Sequence, residues 1–306
     1  MKSVSYFPTF ERKFYFSNSI NGKLLLKQFY QPYSFLTSTF CLLWYRLPFL
    51  TKIFTTTIDN LPLHINTMQS ILGWENIDFV LSGGAGFEKK ITGFCINIDT
   101  RQKVFFKYGS TACAIELVKN EIKVLSSLSL PFAPKLLYNG IELNKNSWFV
   151  TETFDGVKYN KKKVSEAILD LLLSINKEVY SLGENVDREL VYMFSHGDFC
   201  PWNLVINKKN IIKVIDWEMA GIYPLGYDLF TFVFQTSFLL SPNKKSAILI
   251  KENTKWFIQY FNHHGVNDYL PYLKEFTQIK LKREQFKKNY VLLENYQNLN
   301  KTLDTL

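Results

Sequence analysis

Apolar and polar positions change rhythm twice along this chain, and the changes mark out three sections. From residue 77 to residue 150 the apolar residues come in short, strand-like runs: IDFVLS, then KITGFCINI after a glycine-rich stretch, then KVFFKY after the polar DTRQ. Runs of β-branched and aromatic residues bounded by turn formers predict a three-stranded antiparallel meander. Ile115, Val118, Ile122 and Leu125 follow at helical spacing, which predicts one amphipathic helix over 114–128. A hairpin over 135–153, turning at 143–146, completes a small sheet. After Gly156 the period lengthens to that of helices. Ile168, Leu171, Leu172, Ile175 and Val179 form one stripe over 164–180, and 230–240 and 253–261 are likewise helical. LVIN and IIKVID, joined by KKN, interrupt them as a tight hairpin. The fold class expected is α+β and bilobal. Residues 76–155 form a small antiparallel-sheet lobe with one helix, 156–306 a larger, mainly helical lobe, and the bend falls near 153–159.

Residues 1–75 precede both lobes as an extension whose aromatic runs are broken by Pro8, Pro32, Pro48 and Pro62, so short helices or strands joined by loops are expected there. Charge concentrates in the same stretch. Up to residue 65 seven basic residues (Lys2, Arg12, Lys13, Lys23, Lys27, Arg46, Lys52) face Glu11 and Asp59, a net +5 out of +9 for the whole chain. The expected arrangement is a basic, aromatic flap packed on the body. The alternative is an electrostatic hold on an anionic substrate or a peripheral contact with an anionic membrane.

Composition narrows the class. At 306 residues and 47% hydrophobic content the chain is globular rather than disordered. Cys41, Cys95, Cys113 and Cys200 show no paired spacing, so neither a zinc site nor a disulfide framework is expected, and the thiols read as free. With no secretory signal pattern and no apolar run of spanning length, the expected address is cytoplasmic, with the membrane-peripheral alternative just named. The late charged run KLKREQFKK, residues 280–288, is expected to be a solvated helix face, and without a recognition motif it does not argue for nucleic acid.

The chemistry sits at residues 196–203, HGDFCPWN, and thirteen positions beyond Asn203 at Asp216 in IDWE. A carboxylate that orients or deprotonates an acceptor hydroxyl, together with oxygen ligands for magnesium, is the inventory of phosphoryl transfer. Asp198 suits the first role, Asn203 and Asp216 the second, and the hairpin between the latter two brings them to one ion. Lys107 lies in the strand VFFKYG and Glu121 on the following helix, a separation that lets the carboxylate hold the ammonium against phosphates. Gly83, Gly84 and Gly86 in SGGAG join the first two strands, either as a phosphate-contacting loop or as a tight turn. Glu152 and Phe154 lie where backbone groups would meet a purine. His196 is read as a brace of the loop, Asp228 as a tie to it from a helix start, and Glu218 as a direct or outer metal contact.

In this order, and over residues 77–240, these motifs resemble the aminoglycoside phosphotransferase and choline kinase family. The resemblance implies a protein-kinase-like fold with ATP or GTP and Mg2+ as cofactors, a ligand between the lobes, and Asp198 as catalytic base. It likewise implies Asn203 and Asp216 as magnesium ligands and Lys107, partnered by Glu121, on the α and β phosphates. Two departures from protein kinases stand out: Trp217 and Glu218 follow Asp216, and Tyr227 comes eleven positions after it, too soon for an activation segment. A small-molecule or glycan acceptor is therefore expected. From residue 241 onward eleven basic residues face six acidic ones, which argues against an aminoglycoside, and the basic, aromatic N-terminal section points to an anionic or cell-envelope saccharide; an aminoglycoside or amino-alcohol kinase is the alternative. A catalytically silent nucleotide-binding scaffold and a membrane-surface adaptor are the readings from other classes.

Overall fold

The structure, a computed structural model, describes residues 4–7, 14–32, 35–46, 56–58, 63–83, 90–127, 130–142, 146–177, 189–241 and 244–305. The chain divides into two compact units: Met1–Val157 with Ile206–Lys213, and Lys158–Val205 with Val214–Leu306.

The first unit is built on an eight-stranded sheet. Strands β1 (Val4–Phe7), β2 (Phe14–Ser17), β3 (Thr56–Ile58), β4 (Ile77–Gly83), β5 (Lys90–Asn97), β6 (Lys103–Gly109), β7 (Leu136–Glu142) and β8 (Asn146–Glu152) lie in the order β3-β1-β2-β4-β5-β6-β8-β7. The expected meander is β4-β5-β6, and the expected hairpin is β7-β8, with β8 pairing antiparallel to β6. Positions 143–145 of its turn lie outside the described residues. Every second residue of β5 is buried, so each strand presents alternate side chains to opposite faces. Phe79 and Leu81 enter a cluster with Ile65, Met68, Cys95, Val104 and Phe106, while Val80 between them enters another with Phe14, Phe16, Leu25, Leu26 and Trp44.

That alternation corrects the expectation of a flap. The N-terminal section adds β1, β2 and β3 to the sheet. Its helix α3 (Leu63–Leu72) supplies Ile65 and Met68 to the first cluster, and α1 (Ile20–Phe29) and α2 (Phe35–Arg46) supply Leu25, Leu26 and Trp44 to the second. Helix α4 (Ala112–Ser127) is the predicted amphipathic helix and buries Ile115, Val118, Ile122 and Leu125.

The second unit is mainly helical. Helix α5 (Glu166–Asn176) falls inside the predicted 164–180, of which 178–180 lie outside the described residues. Helix α6 runs over 227–240 as Tyr227–Phe230, a π-helical segment Thr231–Gln235, and Thr236–Leu240. Helices α7 (Ser246–His263), α8 (Leu270–Lys287) and α9 (Tyr290–Leu303) complete the unit. Its core is aromatic: the Phe230 ring centroid lies 5.2 Å from that of Phe257, 5.5 Å from Phe276 and 5.8 Å from Phe261. Each such ring removed from water stabilises the unit by about 1.5–3 kcal/mol.

Helix α8 overturns one expectation. Leu273, Phe276, Thr277, Lys280 and Glu284 recur at helical spacing, and all are buried. The buried stripe thus passes straight through the charged run that composition alone reads as a solvated face. Lys282, Gln285 and Lys288 keep the solvent side.

Candidate active site

The loop at 196–203 starts from the strand Tyr192–Ser195 and turns at Gly197, whose φ is +80°. A Cβ there would sit 2.1 Å from the backbone oxygen of Met219, so the turn excludes any side chain. Asp228, in the first turn of α6, clamps it: one carboxylate oxygen accepts the His196 N–H at 2.6 Å and the other the Gly197 N–H at 2.9 Å. Asp228 is buried, and burial pushes its pKa up against the pull of His196 and the two backbone donors toward the ionised form.

His196 is fully buried. Its Nε2 lies 3.0 Å from the Ile215 carbonyl, which can only accept, so Nε2 carries the proton and Nδ1 accepts the Asp198 N–H at 3.3 Å. The imidazole ties the loop to the residue before Asp216 and does not face outward.

Asp198 is held from both sides. Its Oδ2 accepts from Asn203 Nδ2 at 3.0 Å, and its Oδ1 from Gln235 Nε2 at 2.7 Å. Asn203 also donates to the Asp198 carbonyl at 2.9 Å, which turns its amide so that Oδ1 is the end left to accept. Gln235 is turned in the same way: Lys280 Nζ donates to its Oε1 at 2.9 Å. Lys280 is fully buried, 4.9 Å from the Tyr227 ring centroid, and its pKa falls to about 8 because burial penalises the ammonium. Arg283, one turn further along α8, reaches the Gly197 carbonyl at 3.4 Å. Burial opposes its charge, but Tyr227, Asp198, Tyr223 and Glu284 together raise its pKa.

Asp216 adopts the left-handed conformation, φ 69° and ψ 56°, unusual for a non-glycine residue. Its carboxylate oxygen lies within 4.8 Å of one from Glu218, which sits in the short turn Trp217–Met219. Lys158 donates to the Trp202 carbonyl; burial lowers its pKa, and Asp216 pulls the other way.

In the first unit Lys107 Nζ donates to Glu121 Oε2 at 2.5 Å, and both side chains are almost fully buried. β6 carries the lysine and α4 the glutamate, the ion pair expected from the spacing. Gly83 closes β4 opposite Ile91; Gly84 and Gly86 lie outside the described residues. The Glu152 N–H is already engaged by the Lys135 carbonyl at 3.0 Å, and its carboxylate lies 3.9 Å from Lys213 Nζ. The same ammonium stands 5.8 Å from the Phe154 ring centroid.

Within the second unit, then, His196, Asp198, Asn203 and Asp228 form one hydrogen-bonded group, and Asp216 and Glu218 a pair of carboxylates. Gln235, Lys280, Arg283 and Lys158 escaped sequence reasoning. Continuing the apolar stripe of α8 from Leu273 and Phe276 by one more turn would have put Lys280 on the buried side. Gln235 carries no such signal, since its placement depends on the π-helical segment.

Residues 120–248 match the sequence model of the APH family, the phosphotransferase enzyme family. That stretch holds Glu121, Asp198, Asn203, Asp216 and Asp228, and the resemblance read from the motifs is borne out there. An uncharacterized protein of Methanocaldococcus jannaschii is 29% identical over 107 residues, 34% of this chain and 11% of that protein, so the match spans only a small part of its curated relative. Among solved structures, aminoglycoside phosphotransferase APH(4)-Ia superposes with a TM-score of 0.51 at 13% identity, covering 79% of this chain and 98% of the other. Choline kinase LicA from Streptococcus pneumoniae gives the same TM-score of 0.51 at 13% identity, over 79% and 98%. A thermostable APH(4)-Ia variant in ternary complex with ADP and hygromycin B gives 0.50 at 11% identity, over 79% and 97%. At such identities the likeness is one of fold: the chain has the α+β, protein-kinase-like fold that its motifs imply.

Proposed function

We propose that this chain transfers the terminal phosphoryl group of ATP to a hydroxyl of a small-molecule acceptor, with Asp198 as the group that orients and deprotonates that hydroxyl. The observation that carries the reading is the restraint on Asp198. Two amide donors, Asn203 and Gln235, hold its two oxygens, and a buried lysine fixes one of those donors. Loose phosphoryl transfer asks little covalent chemistry of a protein and much positioning, and a carboxylate locked in one rotamer answers that demand.

The donor set fits a magnesium ion. Asn203 offers Oδ1, Asp216 its carboxylate, and Glu218 a second carboxylate within 4.8 Å of it, all hard oxygens. When bound, the ion supplies charge neutralisation on the phosphates. Lys107, aligned by Glu121, is assigned the α and β phosphates. His196 and Asp228 hold the loop, Gly83, Gly84 and Gly86 are assigned to the phosphates, and Glu152 to Phe154 are assigned to the purine, although the Glu152 N–H is already engaged by Lys135.

For the acceptor, positive charge supports an anionic saccharide or sugar phosphate over an aminoglycoside. The cations beside Asp198 are Lys280 and Arg283; Lys280 is buried like the nearby carboxylates Asp228 and Glu284, which leaves the half-buried Arg283 as the cation that supports this reading. The test is ADP formation across a panel of sugar phosphates, acidic and neutral saccharides, amino alcohols and aminoglycosides. Turnover that rises with acceptor negative charge supports the finer reading; turnover confined to the cationic members overturns it and leaves the phosphotransferase standing.

A further inference from the structure

Helices α1 and α2 each bury one face and leave an apolar face to solvent. Leu25, Leu26 and Trp44 point into the cluster with Phe14, Phe16 and Val80. On the other side of α1, Ile20, Lys23, Leu24 and Lys27 recur at i, i+3, i+4 and i+7, and all four are exposed, Ile20 by 81% and Leu24 by 59%. On α2, Leu36, Phe40 and Leu43 recur at i, i+4 and i+7, with Leu36 81% and Leu43 46% exposed and Arg46 closing the stripe. A helix that only covers a sheet carries polar residues at such positions, and grouped apolar residues left in water mark a binding surface.

Charge selects the occupant. Residues 20–46 contain Lys23, Lys27 and Arg46 and no Asp or Glu. The two lysines of α1 stand within the leucine stripe itself, so their stems follow the apolar anchors while their ammonium groups sit at the level of headgroups. A second copy of this chain would set these cations against the same cations, with no acid in the segment to pair them. A planar anionic surface meets the leucines with acyl chains and the cations with phosphates. We propose that α1 and α2 form a docking surface for an anionic lipid bilayer, holding the chain at the interface without crossing it. Among the described residues no helix is long and apolar enough to span a bilayer. This inference does not rest on the phosphotransfer reading.

The test is flotation of the full-length protein with phosphatidylcholine vesicles that contain or lack phosphatidylserine. Three cations near the surface predict binding to the anionic vesicles on the order of 100-fold tighter than to the neutral ones, weakening with added salt. Replacing all three (Lys23→Gln, Lys27→Gln, Arg46→Gln) removes that preference. Replacing the anchors (Ile20→Ser, Leu24→Ser, Leu36→Ser, Leu43→Ser) removes binding to both kinds of vesicle. All seven positions are exposed, so thermal midpoints stay at the wild-type value and ADP formation with a soluble acceptor is unchanged. Equal binding to neutral and anionic vesicles, or binding that survives both sets of substitutions, overturns the proposal. So does self-association in sedimentation velocity that the serine variant abolishes while vesicle binding is absent, which assigns the face to a second copy.

Discussion

Among single residues, the chemistry turns on what holds Asp198. Asp198→Asn is expected to leave ATP affinity within a few-fold and lower turnover about 100-fold or more, the scale of a lost catalytic acid or base, as read by single-turnover kinetics and a nucleotide titration. Lys280→Met frees the Gln235 amide to flip its oxygen toward Asp198, so turnover should fall about 10-fold with the KM for nucleotide unchanged. The same lysine makes a separate thermodynamic prediction. Its pKa is 10.5 when unperturbed and about 8 in the fold, so between those values the unfolded chain binds more protons and the folded chain gains stability as pH rises. Lys280→Met should therefore look progressively more destabilising, relative to wild type, from pH 8 to pH 10.5, as measured by urea denaturation. A stability difference flat across that window would contradict the buried placement. Gly197→Ala meets both a positive φ and a backbone oxygen, and should cost about 1–3 kcal/mol and displace the loop. Residue identities were the most legible layer: Asp198, Asn203, Lys107 and Glu121 stand in short motifs whose chemistry is readable letter by letter. Gln235 and Lys280 are not, because a side chain fixed by tertiary contacts leaves no local pattern.

At the scale of elements, the pattern of apolar positions was a good guide to the sheet and to α4. β5 and α4 appear with the periods of half-buried elements, β4 appears as the apolar run of a strand buried on both faces, and β6 and the hairpin β7-β8 complete that part of the sheet. Helix α8 shows where this fails. Its buried stripe mixes Leu273, Phe276 and Thr277 with Lys280 and Glu284, so hydropathy sees a charged helix while packing sees a core one. The π-helical segment Thr231–Gln235 is equally silent in sequence, yet it positions Gln235 at the end of the segment, and such segments recur at functional sites. The packing of α8 can be tested directly. Phe276 packs edge-on against Tyr227 and Tyr296 and at a tilt against Phe230 and Phe234, and Phe276→Ala should cost about 3–5 kcal/mol in equilibrium unfolding. A loss below 1 kcal/mol, the scale of an exposed substitution, would contradict the aromatic core.

At the scale of the whole molecule, the largest departure from sequence expectation is the N-terminal section. Its prolines and basic residues suggest a flap, but three of its strands extend the sheet, and its helices cover Ile65, Met68, Leu25, Leu26 and Trp44 against that sheet. The pairing of β2 with β4 is long-range, and local pattern cannot announce a partner more than sixty positions away. Removing residues 1–58 should strip β1, β2, β3, α1 and α2 from the first unit and lose its cooperative melting transition; a truncated chain that melts as wild type would restore the flap. Whether the molecule works as a phosphotransferase is decided by following the phosphoryl group. Wild type and Asp198→Asn are each incubated with γ-phosphate-labelled ATP, magnesium and fractionated small molecules from the source cell, and the label is followed. The account predicts that wild type moves label onto a hydroxyl of a small molecule in at least one fraction while the variant, still binding ATP, does not. Tight ATP binding by wild type with label transferred to nothing in any fraction, or transfer by the variant at the wild-type rate, would contradict it.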